Sequence, residues 1–173
     1  MHITHPTAPG LVDPAFKAKA GRYVAQTGLA TMSLLILLLL GDALSNAAIV
    51  TAIAASAFLI FIGPNARLAQ PKRVIGGHLL GCCIGLVFAL LLHLVPDSIS
   101  QSFLATNSLA ALAVGIGILA MGATDTEHPP AAGTILGLVL GDRELEIALL
   151  LLLSIGLLHA TRTLLRRWLV DLL

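Results

Sequence analysis

Three features of the sequence predict an all-α protein, a polytopic transmembrane helix bundle formed by a single domain over residues 1–173. Apolar residues make up 57% of the chain and charged residues only 11%, whereas an average globular protein has about 25% charged residues. The apolar residues lie in long uninterrupted runs, and most charges lie between those runs. Because so few charges cannot cover a surface exposed to water, we expect lipid to surround most of the protein.

Four apolar runs approach the length of a membrane span, which takes about 20 helical residues for a hydrocarbon layer of roughly 30 Å. The first ends at Gly41 and Asp42, and the third ends at Pro96. A polar loop bounded by prolines, residues 64–73, separates the second from the third. The four runs cover residues 24–40, 44–63, 74–95 and 103–123.

Two later apolar runs are too short to cross comfortably, and three charged residues from Asp142 to Glu144 separate them. Residues 131–141 would form about 16 Å of helix at 1.5 Å per residue, and residues 147–160 form the other run. A single span would carry the charges at its middle, which is costly. We therefore favour two short helices in a hairpin, the first starting inside the membrane after a break that lines a protein cavity.

The placement of basic residues predicts about six crossings, with both termini in the cytoplasm. Lysine and arginine favour the cytoplasmic side of a membrane, and they cluster in residues 1–22, 64–73 and 161–173. Six crossings put these three segments on one side and most acidic turns on the other. Residues 161–173 are predicted to continue as an amphipathic interfacial helix, with one apolar face formed by Leu164, Leu165, Trp168, Leu169 and Leu172.

The proline-broken segment 124–130, with the sequence TDTEHPP, is the strongest candidate for a functional site. Proline favours an extended residue before it, so His128 and Pro129 are expected to be extended and Pro130 to begin a helix. The free N–H groups of that helix would attract an anion. The expected substrate-binding residues are Thr124, Thr126, His128, Pro129, Pro130, Gly133 and Thr134.

Two carboxylates in the same segment, Asp125 and Glu127, are the predicted proton-coupling residues. A partly buried carboxylate has a raised pKa, which suits a proton carrier. They could instead cap the helix or face the aqueous mouth, and the whole segment could be a plain re-entrant turn. Polar groups inside a membrane are usually functional, which favours the first interpretation.

The cationic loop 64–73 is a second candidate region. Arg67, Lys72 and Arg73 could draw an anion toward the protein, or they could only set the topology. His78 lies about one turn into the next span, near the same face, and is either a ligand or a packing residue. We include Arg73 and His78 among the expected substrate-binding residues.

Glycines repeat at every fourth position in two stretches, at Gly77, Gly81 and Gly85 and again in residues 133–141. Such grooves let another helix approach closely, so a non-transporting membrane subunit that binds a partner, or itself as a homo-oligomer, is the alternative function. The sequence shows no metal-spaced cluster and no nucleophile–base pair. It also lacks a basic stripe with interleaved aromatics. We therefore expect no metal, cofactor, enzymatic activity or nucleic-acid partner.

Residues 71–78, PKRVIGGH, followed by residues 126–134, TEHPPAAGT, resemble the HPP family of integral membrane proteins. The family is named for its His-Pro-Pro motif, here residues 128–130, and the resemblance covers about residues 20–165. The family is usually described as having four spans, and its plant chloroplast and cyanobacterial members are linked to nitrite transport. The resemblance implies a bacterial inner-membrane protein that moves a small anion, with nitrite as the leading candidate.

Overall fold

The protein is a bundle of α-helices in a computed structural model that describes residues 14–40, 46–100, 102–142 and 144–172. Those residues contain no β-strand, which confirms the predicted fold class. A 3-10 turn, Arg67–Ala69, lies between the second and third helices. The helices are α1 (Pro14–Leu40), α2 (Ala47–Ile62), α3 (Pro71–Leu94), α4 (Asp97–Ser100), α5 (Phe103–Thr124), α6 (Pro130–Val139) and α7 (Glu144–Leu165).

Local capping residues explain several helix boundaries. The side chain of Asn46 accepts hydrogen bonds from the backbone N–H groups of Ala48 and Ile49, at 3.1 and 3.3 Å, so α2 begins at Ala47. This makes α2 shorter than the predicted run of residues 44–63. Pro71 occupies the first turn of α3, where its missing N–H costs nothing. The turn predicted at residues 41–42 lies outside the described residues.

The helices differ in their capacity to span a bilayer. Among the described residues, α3, α5 and α7 are long and apolar enough to cross, whereas α2 and α6 are shorter apolar helices. The short helix predicted after the His-Pro-Pro motif is confirmed, because α6 has 10 residues and begins at Pro130. The number of crossings stays a prediction.

The predicted length of the second helix of the hairpin was wrong. We expected a short helix over residues 147–160, but α7 has 22 residues and runs from Glu144 to Leu165. Glu144 and Glu146 lie in its first turn, where the positive end of the helix dipole favours carboxylates. Glu144, which we expected in the loop between the two short helices, is therefore the first residue of α7.

Helix α6 lies at the centre of the bundle because glycines on two sides allow close contact. It contacts α2, α3 and α5. A Cβ atom added to Gly77 would lie 2.7 Å from the Cβ of His128, and one added to Gly133 would lie 3.1 Å from the carbonyl oxygen of Ala48. The grooves at these glycines are filled by this chain's own helices.

The carboxyl-terminal segment folds back against the protein and does not continue as one amphipathic helix. Helix α7 ends at Leu165, and Leu169 and Leu172 are buried while Leu164 and Trp168 are exposed. The five predicted apolar side chains therefore do not share one face. The cause is backbone pairing, since the N–H of Leu172 donates to the carbonyl of Ile62 at 2.9 Å.

A buried glutamine on α1 holds this segment in place. Gln26 is 2% exposed, and its side chain donates to the carbonyl of Val170 at 2.9 Å and accepts from the N–H of Val170 at 3.0 Å. The side chain of Arg162 also donates to the carbonyl of Pro64. These contacts bring α1, the loop after α2 and the carboxyl-terminal segment to the same end of the bundle, as the clustering of basic residues predicts.

Candidate ion site at the helix break

The break between α5 and α6 is built by one left-handed residue and a tight first helical turn. Asp125 has φ of 55°, a conformation that aspartate tolerates better than most residues, and it ends α5. Pro129 is helical, with φ of −51° and ψ of −37°, so the predicted extended conformation at this residue is wrong. The backbone N–H of Ala131 donates to the carbonyl of His128 at 2.9 Å, and that of Ala132 donates to Pro129 at 3.1 Å.

These hydrogen bonds correct the expected anion site. We predicted free N–H groups at the start of α6, but those of Ala131 and Ala132 are bonded within the first turn. Bonds of this three-residue spacing tighten a helix end and satisfy its donors locally. The two backbone donors that we expected to face an anion are therefore occupied within the protein.

Charged side chains from two segments meet at the break. Arg67 and Lys72 each donate to the Asp125 carboxylate at 2.9 Å. Arg73 donates to both Asp125 and Glu127. We call these five residues the mouth cluster. It joins three cations to two carboxylates, which leaves one positive charge in excess.

Burial within the mouth cluster is uneven. The side chain of Arg73 is 4% exposed, whereas those of Asp125 and Glu127 are 53% and 44% exposed. Because Arg73 is buried, it depends on these two carboxylates for compensation of its charge. The arginine thus lies at the bottom of the cluster with its charge partners above it, toward solvent.

The carboxylates do not have the raised pKa values that we predicted for proton carriers. Hydrogen bonds from Lys72 and Arg67, together with the charge of Arg73, lower the pKa of Asp125 to about 2. A backbone hydrogen bond at Glu127 itself and the contact with Arg73 lower the pKa of Glu127. At both residues these contacts outweigh the loss of hydration, so each holds its negative charge at neutral pH.

This direction of shift predicts how stability depends on pH. Because the pKa of Asp125 is lowered in the folded state, its carboxylate stabilises the protein at pH values above its ordinary pKa of 3.8. That stabilisation disappears as the pH falls toward the folded-state pKa of about 2. We expect Asp125→Asn to lower the melting temperature by a constant amount from about pH 8 down to about pH 5. The difference from wild type should then shrink in more acidic buffer. Thermal unfolding in detergent measures it, with Asp142→Asn at the opposite end as the control, and a change centred near neutral pH would contradict the assignment.

A chain of buried polar groups lies behind the mouth cluster. The imidazole of His128 is 3.0 Å from the carbonyl oxygen of Leu68 through Nδ1, and 3.0 Å from the Oγ of Ser56 through Nε2. The same Ser56 oxygen is 2.9 Å from the Nε2 of His78, whose Nδ1 is 2.8 Å from the Oγ1 of Thr134. We call this series the histidine chain. All four of its side chains are at most 1% exposed.

Comparison with known proteins identifies the family. The family model described as the HPP transmembrane region matches residues 17–171. The chain belongs to the HPP family. Two transmembrane proteins of Dictyostelium discoideum are similar to it, at 36% identity over 88 residues and 34% identity over 83 residues.

The similarity covers only part of these relatives. The matched stretches are 51% and 48% of this HPP protein but 28% and 24% of the two Dictyostelium proteins. The chain therefore spans about a quarter of their length. No solved structure matches the chain.

The structure divides the predicted site residues of this HPP protein into groups. His78, His128 and Thr134 join the histidine chain, and Arg73, Asp125 and Glu127 join the mouth cluster, as described above. Thr124 bonds to Thr126 at 2.7 Å and to the carbonyl of Ala120 at 2.8 Å, so the two threonines close the end of α5. Gly133 faces α2, and Pro129 and Pro130 form the start of α6.

Ser56 is the functional candidate that sequence reasoning missed. It is 0% exposed and contacts both histidines. Its signal in the sequence was faint, because it is one of two hydroxyl residues in the otherwise apolar helix α2. The other, Thr51, donates only to the carbonyl of Ala47 in its own helix among the contacts described.

Two openings lie on either side of the histidine chain. Near the break, Ile118, Met121, Glu127 and His128 contribute to the walls of a cavity of about 290 Å³. At the opposite end of the bundle, a pocket of about 280 Å³ is lined by residues that include Thr106, Asp142 and Glu144. Along α6, the buried residues Ile135 and Leu138 lie between Thr134, a member of the histidine chain, and Val139, which lines that pocket.

Proposed function

We propose that this HPP protein transports a small inorganic anion across the membrane, with nitrite as the leading candidate. The observation that carries the proposal is the buried guanidinium of Arg73, which bonds to Glu127, the neighbour of His128 in the chain. Polar and ionisable groups inside a membrane bundle are expensive, and they mark the paths of ions and substrates.

The geometry of the mouth cluster favours a planar anion with two oxygens. A guanidinium presents parallel N–H donors that match a carboxylate bidentately, and Arg73 uses them on Asp125 and Glu127. Nitrite is a bent monoanion whose two oxygens resemble those of a carboxylate. An incoming nitrite can therefore compete with either carboxylate for Arg73, which would loosen the contact between the loop and the break.

The net charge of the cluster supports anion entry. Three cations and two carboxylates leave one positive charge in excess at the mouth. Such an excess raises the local concentration of anions and speeds their arrival, most strongly at low ionic strength. When nitrite binds, the net charge of the occupied mouth becomes zero.

The proposed orientation follows from the positive-inside rule. The described basic residues of α1, of the loop after α2 and of the carboxyl-terminal segment lie at one end of the bundle, as shown by contacts such as Arg22 to the carbonyl of Trp168. We place that end in the cytoplasm of a bacterium, in its inner membrane, with both termini inside. The mouth cluster then faces the cytoplasm.

Nitrite uptake into proteoliposomes tests the proposal. Purified protein should carry nitrite down its gradient, and formate, which has the same two-oxygen shape, should compete better than sulfate at equal ionic strength. The double variant Glu127→Gln with His128→Asn should lose most of the flux. Absence of flux from folded, monodisperse protein, especially with a stoichiometric partner that co-purifies, would instead support a non-transporting membrane subunit.

A further inference from the structure

The positions of the hydrogens in the histidine chain follow from its acceptors. The carbonyl oxygen of Leu68 can only accept, so the Nδ1 of His128 must carry a hydrogen and donate to it. In a neutral imidazole the other nitrogen then has a bare lone pair. That nitrogen, Nε2, faces the hydroxyl of Ser56 at 3.0 Å, so Ser56 donates its hydrogen to His128.

The rest of the chain is then determined in the same way. Ser56 has one hydrogen, which is used on His128, so the Nε2 of His78 must donate to the Ser56 oxygen at 2.9 Å. The Nδ1 of His78 is consequently an acceptor and receives the hydroxyl hydrogen of Thr134 at 2.8 Å. With both rings neutral, every polar group in the chain has a partner, and all the hydrogen bonds run in one direction.

Ser56 also has a second acceptor within reach, and this allows another protonation state. Its oxygen lies 2.8 Å from the carbonyl oxygen of Ala52, one helical turn earlier. If the hydroxyl hydrogen rotates onto Ala52, the Ser56 oxygen can accept from both histidines at once. A hydrogen can then occupy the Nε2 of His128, and no heavy atom has to move.

A second proton is unfavourable. The rings of His78 and His128 have centroids only 5.0 Å apart, and like charges at that distance oppose each other strongly in a buried site. The other charged or titratable groups at this end of the bundle are those of the mouth cluster and, on α7, His159 and Arg162, of which Arg162 donates to the carbonyl of Pro64. Helices α2, α5 and α6 contribute no charged side chain. The pair therefore accommodates one proton.

We propose that His78, Ser56 and His128 form a binding site for a single proton, and that this proton accompanies the transported anion. The coupling part rests on the proposed function. A proton from the aqueous mouth forms a bond with the Nε2 of His128 while the Ser56 hydroxyl turns to Ala52, and release reverses both steps. One proton and one nitrite then cross together with no net charge. His128 lines the same cavity as Glu127 of the mouth cluster, so one opening connects the histidine chain with the mouth.

Nitrogen-15 NMR of the histidine rings in the full-length protein tests the proton site without any transport measurement. At alkaline pH, we expect His128 to carry its hydrogen on Nδ1 and His78 to carry its hydrogen on Nε2. On acidification, one ring of the pair should gain a proton while the other stays neutral. Identical tautomers in the two rings, or independent protonation of both, would overturn the inference.

The matched variants use two buried serines. Ser56→Ala removes the hydroxyl that serves both proton states, so the midpoint of proton uptake by the pair should fall by about one pH unit or more. Ser56→Thr, which keeps a hydroxyl, should restore it in part. Ser154→Ala is the control, since Ser154 is also buried and bonds to a carbonyl one turn earlier in α7, at 2.8 Å. An equal shift in the Ser154 variant would contradict the role of Ser56.

Proteoliposomes with a pH-sensitive dye inside test the coupling. A nitrite gradient should acidify the lumen by one proton for each nitrite that enters. Nitrite flux without proton entry would overturn the coupling while leaving the proposed function intact. If the protein gave the expected NMR result but moved no nitrite, the proton site would be supported. The proposal that the protein transports nitrite would then be wrong.

Discussion

Replacing Gly77 by alanine should destabilise the protein by about 1–3 kcal/mol, the usual cost of overpacking a tight contact. The new Cβ atom would lie 2.7 Å from the Cβ of His128 and 2.9 Å from the carbonyl oxygen of Thr126. Neither neighbour is the free end of a flexible side chain, so the break must shift relative to α3. Thermal unfolding in detergent measures the effect, and transport should fall with it because His128 belongs to the histidine chain.

The control for this prediction is Gly122→Ala on α5. A Cβ atom at Gly122 meets nothing within 4 Å, and alanine favours a helix over glycine by about 1 kcal/mol. That variant should therefore be as stable as the wild type or slightly more stable. Gly85→Ala adds a second comparison, since its Cβ atom would lie 2.8 Å from the Cβ of Leu138, away from the break. Equal melting temperatures for the Gly77 and Gly122 variants would refute the packing argument.

Replacing Arg73 by glutamine should reduce nitrite uptake at low substrate concentration by at least about tenfold. Hydrogen bonds to a charged partner contribute about 1.5–3 kcal/mol each, and a factor of ten corresponds to about 1.4 kcal/mol. The variant keeps a polar side chain but loses the charge and the paired donors that would hold the anion. Initial rates of uptake into proteoliposomes, measured over a range of nitrite concentrations, give the change.

Two further variants separate binding from general electrostatics. Arg67→Gln removes a cation whose side chain is 70% exposed, and such exposed pairs contribute little, so uptake should change much less. Glu127→Gln removes a carboxylate that competes for Arg73 and should lower the nitrite concentration needed for half-maximal uptake. If the Arg67 and Arg73 variants lost uptake equally, Arg73 would have no specific role in binding.

Composition and local pattern were sufficient to predict the helices and their environment. Residues that are close in the sequence determine these features. They include the long apolar runs, the prolines that start α3 and α6, and the short helix after the His-Pro-Pro motif. The segment 124–130 was found for the same reason, since acidic residues and two prolines stand out in an apolar chain. The length of α7 was underestimated because the charged residues from Asp142 to Glu144 were interpreted as a separator, although carboxylates such as Glu144 are also typical of a first helical turn.

The hydrogen-bond and ion-pair partners of the polar side chains depend on how the helices pack, and the sequence alone did not predict them. Ser56 lies 22 residues from His78 and 72 residues from His128 in the sequence, yet the close approach of α6 to α2 and α3 brings all three into contact. Likewise, Arg73 lies 52 residues from Asp125. The contacts made in the mouth cluster, chiefly those of Lys72 and Arg67 at Asp125 and a backbone hydrogen bond at Glu127, keep both expected proton carriers as anions at neutral pH. Sequence alone therefore identified the lipid-embedded helices and the break, because periodicity and chain breaking are local properties. The protonation and charge of the site depended on contacts between distant segments, which only the tertiary structure supplies.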